Sequence, residues 1–308
     1  MQKDALERLN LERMLLEPEL LETVEPDMNL VTNILSLTSV IPKRTKETAR
    51  RVVWRVVEEL EEKLRRPTEQ VIRGSLNRAE KTRRPKPYEI DWPTTIRRNL
   101  KNYLPEQKTI VVEELFGFGH KRPALRDVIL CVDQSGSMAT SVVYSGIFGA
   151  VMASIRAVKT KMVVFDTEVV DLTDDLQDPV DLLFGVRLGG GTDINRALAY
   201  CEGLIDRPAQ TILVLITDLC EGGDAKQMLR RSASLVAAGV NVICLLALSD
   251  EGKPYYDSRM TAAYAGVGIP TFGCTPDQFP DLMAAAIQRE DIGAWAARQG
   301  IVTIRVEE

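Results

Sequence analysis

The chain has little of what zinc sites and cysteine frameworks need. Among its 308 residues there is one histidine, His120, and the five cysteines have no CxxC spacing. A structural zinc ion usually takes four ligands from these two residue types, so we do not expect zinc. An odd number of scattered cysteines indicates reduced, packed thiols in a cytoplasmic protein rather than a set of disulfides.

Long apolar runs are also missing. No stretch approaches the roughly 20 apolar residues that cross a bilayer. The first residues, 1–8, are charged and lack the apolar core of a secretory signal. We therefore expect a cytoplasmic protein with no membrane contact. The hydrophobic share of 45% and the charged share of 27% are ordinary for a globular protein.

Common enzyme motifs are absent too. The chain contains no Gly-x-Ser-x-Gly and no Gly-x-Gly-x-x-Gly, and no Gly-Lys-Ser/Thr follows the glycines 189–191. A serine nucleophile would have to use His120, which is distant in sequence from every serine considered below. We therefore predict no catalytic residue and expect a binding protein rather than an enzyme.

The second half of the chain alternates strand and helix patterns. Apolar runs of strand length occur at 128–132, 162–165, 212–216 and 242–248. Runs without alternation suit strands that are buried on both faces of a parallel sheet. Helical apolar spacing fills the gaps between them, and 169–172 reads as a short antiparallel edge strand. The pattern predicts an α/β fold with a doubly wound, mostly parallel sheet and right-handed crossovers.

The first half is different in composition and predicts a smaller, mainly helical region. Residues 1–126 contain 25 Lys and Arg against 20 Asp and Glu, whereas residues 127–308 contain 14 against 24. Such asymmetry is typical of domains with different partners. A helix is predicted from about Lys46 to Pro67, a second near Thr94–Asn102, and a final one over 276–288. The predicted divisions are 1–108 (helical, with a basic connector at about 63–101), 109–126 (strand and linker, with a loop at Gly117 and Gly119), 127–290 (the α/β domain) and 291–308 (a C-terminal extension).

Three separated fragments carry the oxygen ligands of a candidate metal site. They are Asp133-Gln-Ser135-Gly-Ser137, the loop Gly-Gly-Gly-Thr192-Asp193, and Ile-Thr-Asp218. Asp133 and Asp218 follow two predicted strands, and ligands of open α/β sheets bind at the carboxyl ends of strands where the strand order reverses. Carboxylates and hydroxyls are the hard ligands that Mg²⁺ prefers, with Mn²⁺ as an alternative. Asp193 is expected to cap or orient its loop rather than to ligate the metal directly, and Glu221 to be a solvated loop residue.

These fragments resemble the metal-ion-dependent adhesion site of von Willebrand factor A (VWA) domains. The resemblance covers residues 125–288 and implies a Rossmann-like VWA fold. It also implies five metal-site residues, which are Asp133, Ser135, Ser137, Thr192 and Asp218. Many relatives have glycine directly after the aspartate at position 218, where this chain has Leu219. The segment from Asp91 to Leu100 further resembles bacterial CoxE-like and YehP-like proteins, which are cytoplasmic and commonly linked to MoxR-type AAA+ ATPases.

The resemblance implies a metal-dependent adaptor. Its Mg²⁺ would be presented to an Asp or Glu of a protein partner, with a MoxR-type AAA+ ATPase as the expected partner, in client maturation, chaperoning, or a stress or defence response. A nucleic-acid-binding role for the basic segment is the alternative. Three rings there, Tyr88, Trp92 and Tyr103, can stack on bases, but nearby Ile96 and Leu100 favour packing instead. A metal-dependent hydrolase ranks last, because no base is evident.

Overall fold

The computed structural model describes residues 28–36, 43–76, 80–82, 90–119, 126–155, 158–186, 189–248 and 255–301. The chain forms two compact units: the first contains Met1–Ile72 and Leu125–Glu308, and the second contains Arg73–Ala124. The Leu-rich pattern of residues 1–27, His120 and the chain after residue 301 lie outside the described residues. The boundaries predicted at 108, 126 and 290 stay predictions.

The described residues of the N-terminal part form three helices and four short strands. In chain order they are α1 (Met28–Ser36), α2 (Lys43–Leu76), β1 (Glu80–Thr82), α3 (Trp92–Asn99), β2 (Tyr103–Leu104), β3 (Thr109–Ile110) and β4 (Gly117–Gly119).

The rest of the first unit alternates strands and helices. In chain order they are β5 (Arg126–Asp133), α4 (Ala139–Ala153), β6 (Val158–Phe165), β7 (Val169–Asp171), α5 (Pro179–Gly185), α6 (Ile194–Gly203), β8 (Thr211–Ile216), α7 (Ala225–Ala237), β9 (Asn241–Leu248), α8 (Ser258–Gly266), β10 (Thr271–Cys274), α9 (Phe279–Gln288) and α10 (Ile292–Arg298).

Six of these strands form one sheet in the order β10-β9-β8-β5-β6-β7. All neighbours are parallel except β7, which is antiparallel to β6. The chain leaves β5 toward β6 on one side and later returns to β8 on the other side, so the strand order reverses between β5 and β8. The predicted α/β class, the edge strand and the adjacency of these two central strands are confirmed.

Burial on both faces explains the apolar runs. Every residue of β8 is buried, and so is every residue after the first in β5 and β9. Helix α4 is apolar on all sides, as expected for a helix enclosed by other elements. The segment Gly136–Ala153 has the length and composition of a membrane span, but 78% of it is buried inside the fold. It is therefore the core helix of the sheet's first crossover.

Helix α2 corrects one prediction. Pro67 does not end the helix, which continues to Leu76 with the proline inside it. The buried face also continues, since Leu64, Thr68 and Ile72 follow one another at four-residue spacing and are all at most 4% exposed. The Thr68 hydroxyl donates to the Leu64 carbonyl oxygen at 2.6 Å. Burial of this face outweighs the local preference of proline for a helix start.

Both N-terminal helices of the first unit lie against the α/β domain. Helix α1 packs on α4. On α2, Arg50 forms an ion pair with Asp181 and lies over the ring of Phe184, with its guanidinium carbon 5.2 Å from the ring centroid. Helix α1 and most of helix α2 are thus part of the same compact unit as the sheet, whereas α3 belongs to the second unit.

The second unit differs from its prediction at the glycines. Gly117–Gly119 is strand β4, paired antiparallel with β1, and not a loop. The strand expected from Thr109 is only two residues long and pairs with β2. The helix expected near Thr94–Asn102 is confirmed as α3, followed by a 3₁₀ turn at Leu100–Asn102.

The end of the chain adds two helices to the domain. The helix predicted over 276–288 is confirmed as α9, which begins at Phe279. Trp295, which sequence patterns did not place, lies in α10 with 4% exposure. Its ring centroid is 6.2 Å from that of Phe272 in β10.

Candidate metal centre

Three loops meet beyond the carboxyl ends of β5 and β8. We call them the first loop (133–138), the second loop (189–193) and the third loop (217–223). The Gly189 amide donates to the Gln134 carbonyl oxygen at 3.0 Å, which joins the second loop to the first. The Gly222 amide donates to the Thr192 carbonyl oxygen at 2.9 Å, which joins the third loop to the second. Fragments far apart in sequence therefore share one location.

Side-chain oxygens of the first and third loops lie at contact distance. The Ser137 hydroxyl donates to Asp218 Oδ2 at 2.9 Å, and its oxygen is 3.2 Å from Ser135 Oγ. In octahedral Mg²⁺ coordination with metal–oxygen distances of about 2.0–2.1 Å, neighbouring ligand oxygens are about 2.9 Å apart. The spacing of these three oxygens is therefore compatible with adjacent positions around one small cation.

Asp133 occupies the interior of the site. It is 0% exposed. Its Oδ1 accepts a hydrogen bond from the Ser135 amide at 2.9 Å, and its Oδ2 accepts one from the Thr217 hydroxyl at 2.7 Å. Burial raises the pKa of Asp133 and nearby Asp218 adds to the rise, while these hydrogen bonds oppose it. The carboxylate is thus held in a fixed orientation, and a cation would favour its charged form.

Thr192 lies one residue before the helix cap rather than at the start of α6. Its neighbour Asp193 is the N-cap of α6 and accepts from the Arg196 amide at 2.9 Å, as predicted. A Cβ on Gly222 would lie 2.8 Å from the Thr192 carbonyl oxygen. Glycine at 222 thus permits the close approach of the two loops. Thr192 is joined to the third loop through its backbone carbonyl oxygen.

Glu221 is not the solvated residue that the sequence predicted. Its Oε2 accepts from the Ile194 amide at 2.7 Å, at the first turn of α6. Its Oε1 is buried without a hydrogen-bond partner. Burial raises the pKa of Glu221, amides of the α6 start and of Gly223 oppose the rise, and the Asp193 charge adds to it. Glu221 therefore links the third loop to the helix that follows the second. In the sequence, Glu221 is recognisable as an acidic residue directly before two glycines.

Leu219 gives the third loop its shape. It has φ of 60°, in the left-handed region, and is 0% exposed. Left-handed backbone is unfavourable for a branched side chain and is common for glycine. The chain therefore keeps the backbone turn that glycine would provide after the aspartate, and adds a buried side chain to the core.

The cysteines are mostly as predicted. Four of them are buried, at positions 131, 201, 244 and 274, whereas Cys220 in the third loop is exposed. Partial burial and the Asp218 charge raise the pKa of Cys220 to about 11. A thiol with that pKa is almost entirely protonated at neutral pH, so it is a poor nucleophile.

The donor set fits a hard divalent cation. The described residues contain no cluster of three or more His, Cys, Asp or Glu that could hold a metal. A cation at this location would therefore depend on hydroxyls together with the two carboxylates of Asp133 and Asp218. Serine and threonine hydroxyls are hard, neutral oxygen ligands, which suit Mg²⁺ or Mn²⁺ and not a thiophilic metal.

Comparison with known proteins identifies the family. The sequence model described as "VWA domain containing CoxE-like protein" matches residues 64–283. The chain belongs to the CoxE-like VWA family. The chain is also 32% identical over 290 residues to the uncharacterized protein YehP of Escherichia coli (strain K12), which covers 94% of this chain and 77% of YehP.

Solved structures show more distant likeness to this CoxE-like VWA protein. The conserved hypothetical protein BatB from Bacteroides thetaiotaomicron is 16% identical with a TM-score of 0.40, over 55% of this chain and 99% of BatB. A von Willebrand factor type A protein from Catenulispora acidiphila is 13% identical with a TM-score of 0.39, over 54% of this chain and 42% of that protein. The family assignment depends on the sequence matches and not on these two structures.

Proposed function

We propose that this VWA protein is a metal-dependent adaptor that binds an acidic residue of a protein partner. The observation that carries the proposal is the spacing of Ser135 Oγ, Ser137 Oγ and Asp218 Oδ2, at 3.2 and 2.9 Å. Three hard oxygens at the spacing of octahedral ligands, on loops joined by backbone hydrogen bonds, make a preformed cation site. Thr192 and Asp133 complete the proposed set.

The residues of the proposed metal site would have different roles. Ser135, Ser137 and Thr192 would offer neutral oxygens, and Asp218 would offer charge beside them. Asp133 would act from beneath, where it orients the first loop through the Ser135 amide. A bound Mg²⁺ would provide a coordination position at which a carboxylate of a partner protein can bind. Because three of the five protein ligands are neutral hydroxyls, an open coordination position on the cation would still attract a partner's Asp or Glu.

The partner that we propose is a MoxR-type AAA+ ATPase. This expectation comes from the resemblance to CoxE-like proteins, for which such pairing is common. The pair would act on a client in maturation, chaperoning, or a stress or defence response. An adaptor role agrees with the absence of a nucleophile motif from the sequence, and we assign no catalytic residue.

The metal site is tested by calorimetric titration of the full chain with Mg²⁺ and with Mn²⁺. We expect one site per chain in the wild type and loss of binding in Ser137→Ala. Ser234→Ala, an exposed serine near the C-terminal end of α7, is the matched control and should bind as the wild type does. Undiminished binding by Ser137→Ala, with the fold intact by circular dichroism, would overturn the proposed ligand set.

The partner is tested separately. A candidate MoxR-type ATPase is titrated with the adaptor in Mg²⁺, in EDTA, and with Asp133→Ala. We expect binding in Mg²⁺ only. Equal binding under all three conditions would refute a metal-bridged contact, even if the cation site itself is real.

A further inference from the structure

Helix α3 of the second unit has an exposed apolar stripe beside a buried polar one. Trp92, Ile96 and Leu100 recur every fourth residue and are 52%, 44% and 55% exposed. Thr95 and Asn99, on the adjoining part of the helix surface, are 0% and 2% exposed. Residues four apart share one face of a helix. We call the exposed stripe of Trp92, Ile96 and Leu100 the α3 face.

The polar contacts of the buried side fix this orientation. The Thr95 hydroxyl donates to the Phe116 carbonyl oxygen and accepts from the Phe116 amide, both at 3.0 Å. The Asn99 side chain donates to the Glu114 carbonyl oxygen at 2.8 Å and accepts from the Glu113 amide at 3.0 Å. Rotating the helix to bury its apolar stripe would leave these buried polar groups unpaired, which is unfavourable.

The α3 face does not stand alone. The hairpin that follows the helix exposes Tyr103 and Leu104 at 47% and 40%, and Val111 at 49%. A single exposed apolar side chain is normal, whereas three neighbouring ones on one helix, as in the α3 face, are typical of an interaction site. Burial of apolar side chains is favourable in proportion to the apolar area that is removed from water. Covering the stripe is therefore a substantial source of binding energy.

Charge selects the kind of partner. From Trp92 to Asn102 the sequence contains Arg97, Arg98 and Lys101 and no acidic residue. Both arginines are exposed, and Lys101 makes an exposed 3.4 Å ion pair with Glu113. A complementary surface would carry an apolar stripe flanked by carboxylates.

We propose that the α3 face is a docking site for an amphipathic helix of a partner protein, with an apolar stripe bordered by Asp and Glu. Ile96 and Leu100 favour a protein over RNA or DNA, because aliphatic side chains gain from apolar burial and do not stack on bases as aromatic rings do. The proposal goes beyond the metal-dependent function and uses none of the residues of the three loops.

The test uses the full chain and two synthetic amphipathic helical peptides of the same leucine pattern. One has Glu at all its polar positions and the other has Lys. Fluorescence anisotropy should show saturable binding of the Glu peptide and at least about 10-fold weaker binding of the Lys peptide. The double variant Ile96→Ser with Leu100→Ser should lose at least about 10-fold in affinity for the Glu peptide.

Matched controls keep the result interpretable. Val170→Ser removes an equally exposed apolar side chain on β7, at 41%, and should bind the Glu peptide as the wild type does. Because Ile96 and Leu100 are exposed, their serine variants should melt as the wild type does. Arg97→Glu with Arg98→Glu should reverse the preference toward the Lys peptide.

Four outcomes would overturn the proposal. The first is equal binding of both peptides, and the second is full affinity in the α3-face double variant. The third is binding of a single-stranded oligonucleotide, but of neither peptide, that this variant loses, since that would assign the face to nucleic acid. The fourth is a concentration-dependent dimer, by light scattering, that the double variant abolishes, since that would assign the face to a second copy. None of these four outcomes depends on Mg²⁺ or EDTA. A docking proposal that fails therefore leaves the metal-site proposal unaffected.

Discussion

Two residues of the third loop set the geometry beside Asp218. Leu219 holds a left-handed backbone with its side chain buried, and Glu221 accepts the Ile194 amide at 2.7 Å. Leu219 fixes the direction in which the chain leaves Asp218, and Glu221 fixes where the loop meets the start of α6. Strained backbone beside a binding site is stable only when the surrounding packing determines it.

Backbone strain and side-chain burial oppose each other at Leu219. Leu219→Ala should destabilise the fold by about 2–5 kcal/mol, because a buried side chain is lost while the strain stays. Leu219→Gly should be less destabilising than Leu219→Ala by about 1 kcal/mol, although glycine is smaller, because it relieves the left-handed strain. Urea unfolding of both variants gives the comparison. A glycine variant that is less stable than the alanine variant would contradict the strain.

The role of Glu221 is tested by two substitutions. Glu221→Ala leaves the Ile194 amide without its acceptor and should destabilise the protein by about 1–3 kcal/mol. Glu221→Gln keeps an acceptor oxygen and places a donor where Oε1 is unpaired, so its unfolding free energy should stay within about 1 kcal/mol of the wild type.

Urea unfolding in EDTA separates this effect from any metal. Glu202→Ala is the control, an exposed glutamate of α6 whose ion pair with Arg231 should contribute only about 0–1 kcal/mol. If Glu221→Ala is no less stable than Glu202→Ala, Glu221 does not join the loops.

At the scale of elements, helix α2 shows a long-range contact overriding a local signal. Pro67 lacks the amide that would complete the helical ladder, yet the helix runs on for nine residues to Leu76. Leu64, Thr68 and Ile72 are buried on one face of the helix, before and after the proline. Their burial keeps the segment after Pro67 packed against the fold. Both signals are present in the sequence, and burial along the face of α2 outweighs the proline.

Pro67→Ala should therefore stabilise the protein. Alanine restores a hydrogen-bond donor in an exposed helix interior, where proline costs about 3 kcal/mol, and loses about 1 kcal/mol of the restriction that proline imposes on the unfolded chain. We expect a net gain of about 1–2 kcal/mol in urea unfolding. Arg66→Ala, at an exposed neighbouring position, should change stability by less than about 0.5 kcal/mol. A destabilised Pro67→Ala would mean that the packing around the helix requires the proline.

At the scale of the whole molecule, the strand order brings two carboxylates together at the carboxyl ends of the central strands. Reversal of strand order between β5 and β8 places Asp133 and Asp218 next to each other, and Asp133 is fully buried. Without a cation, two carboxylates so placed repel each other. Folding of the α/β domain and occupancy of the proposed metal site should therefore be coupled.

Thermal unfolding measures this coupling. Mg²⁺ at about 100 times its dissociation constant should add about 2.7 kcal/mol of stability relative to EDTA. A chain of this size gains about 2–4 °C in Tm per kcal/mol, so the midpoint should rise by about 5–10 °C. Asp133→Ala should show no Mg²⁺ response, whereas Ser234→Ala should respond fully. A wild-type midpoint that ignores Mg²⁺ would contradict the coupling.

The sequence by itself determined the four buried parallel strands β5, β6, β8 and β9, the order of the three fragments and the α/β class, because strands buried on both faces have unbroken apolar runs in the local sequence. It also indicated that Asp193 caps α6, since capping involves only the next few residues. The ligand set remains a prediction from sequence that the loop geometry supports.

Only the tertiary structure decided the rest. The left-handed turn at Leu219, the link from Glu221 to α6, the passage of α2 through Pro67 and the outward apolar stripe of α3 each depend on a partner that is distant in the chain or on a competition between burial and local preference. Hydrophobic periodicity predicts that a helix has an apolar face. Which face is buried is settled by the polar contacts and packing of the folded molecule.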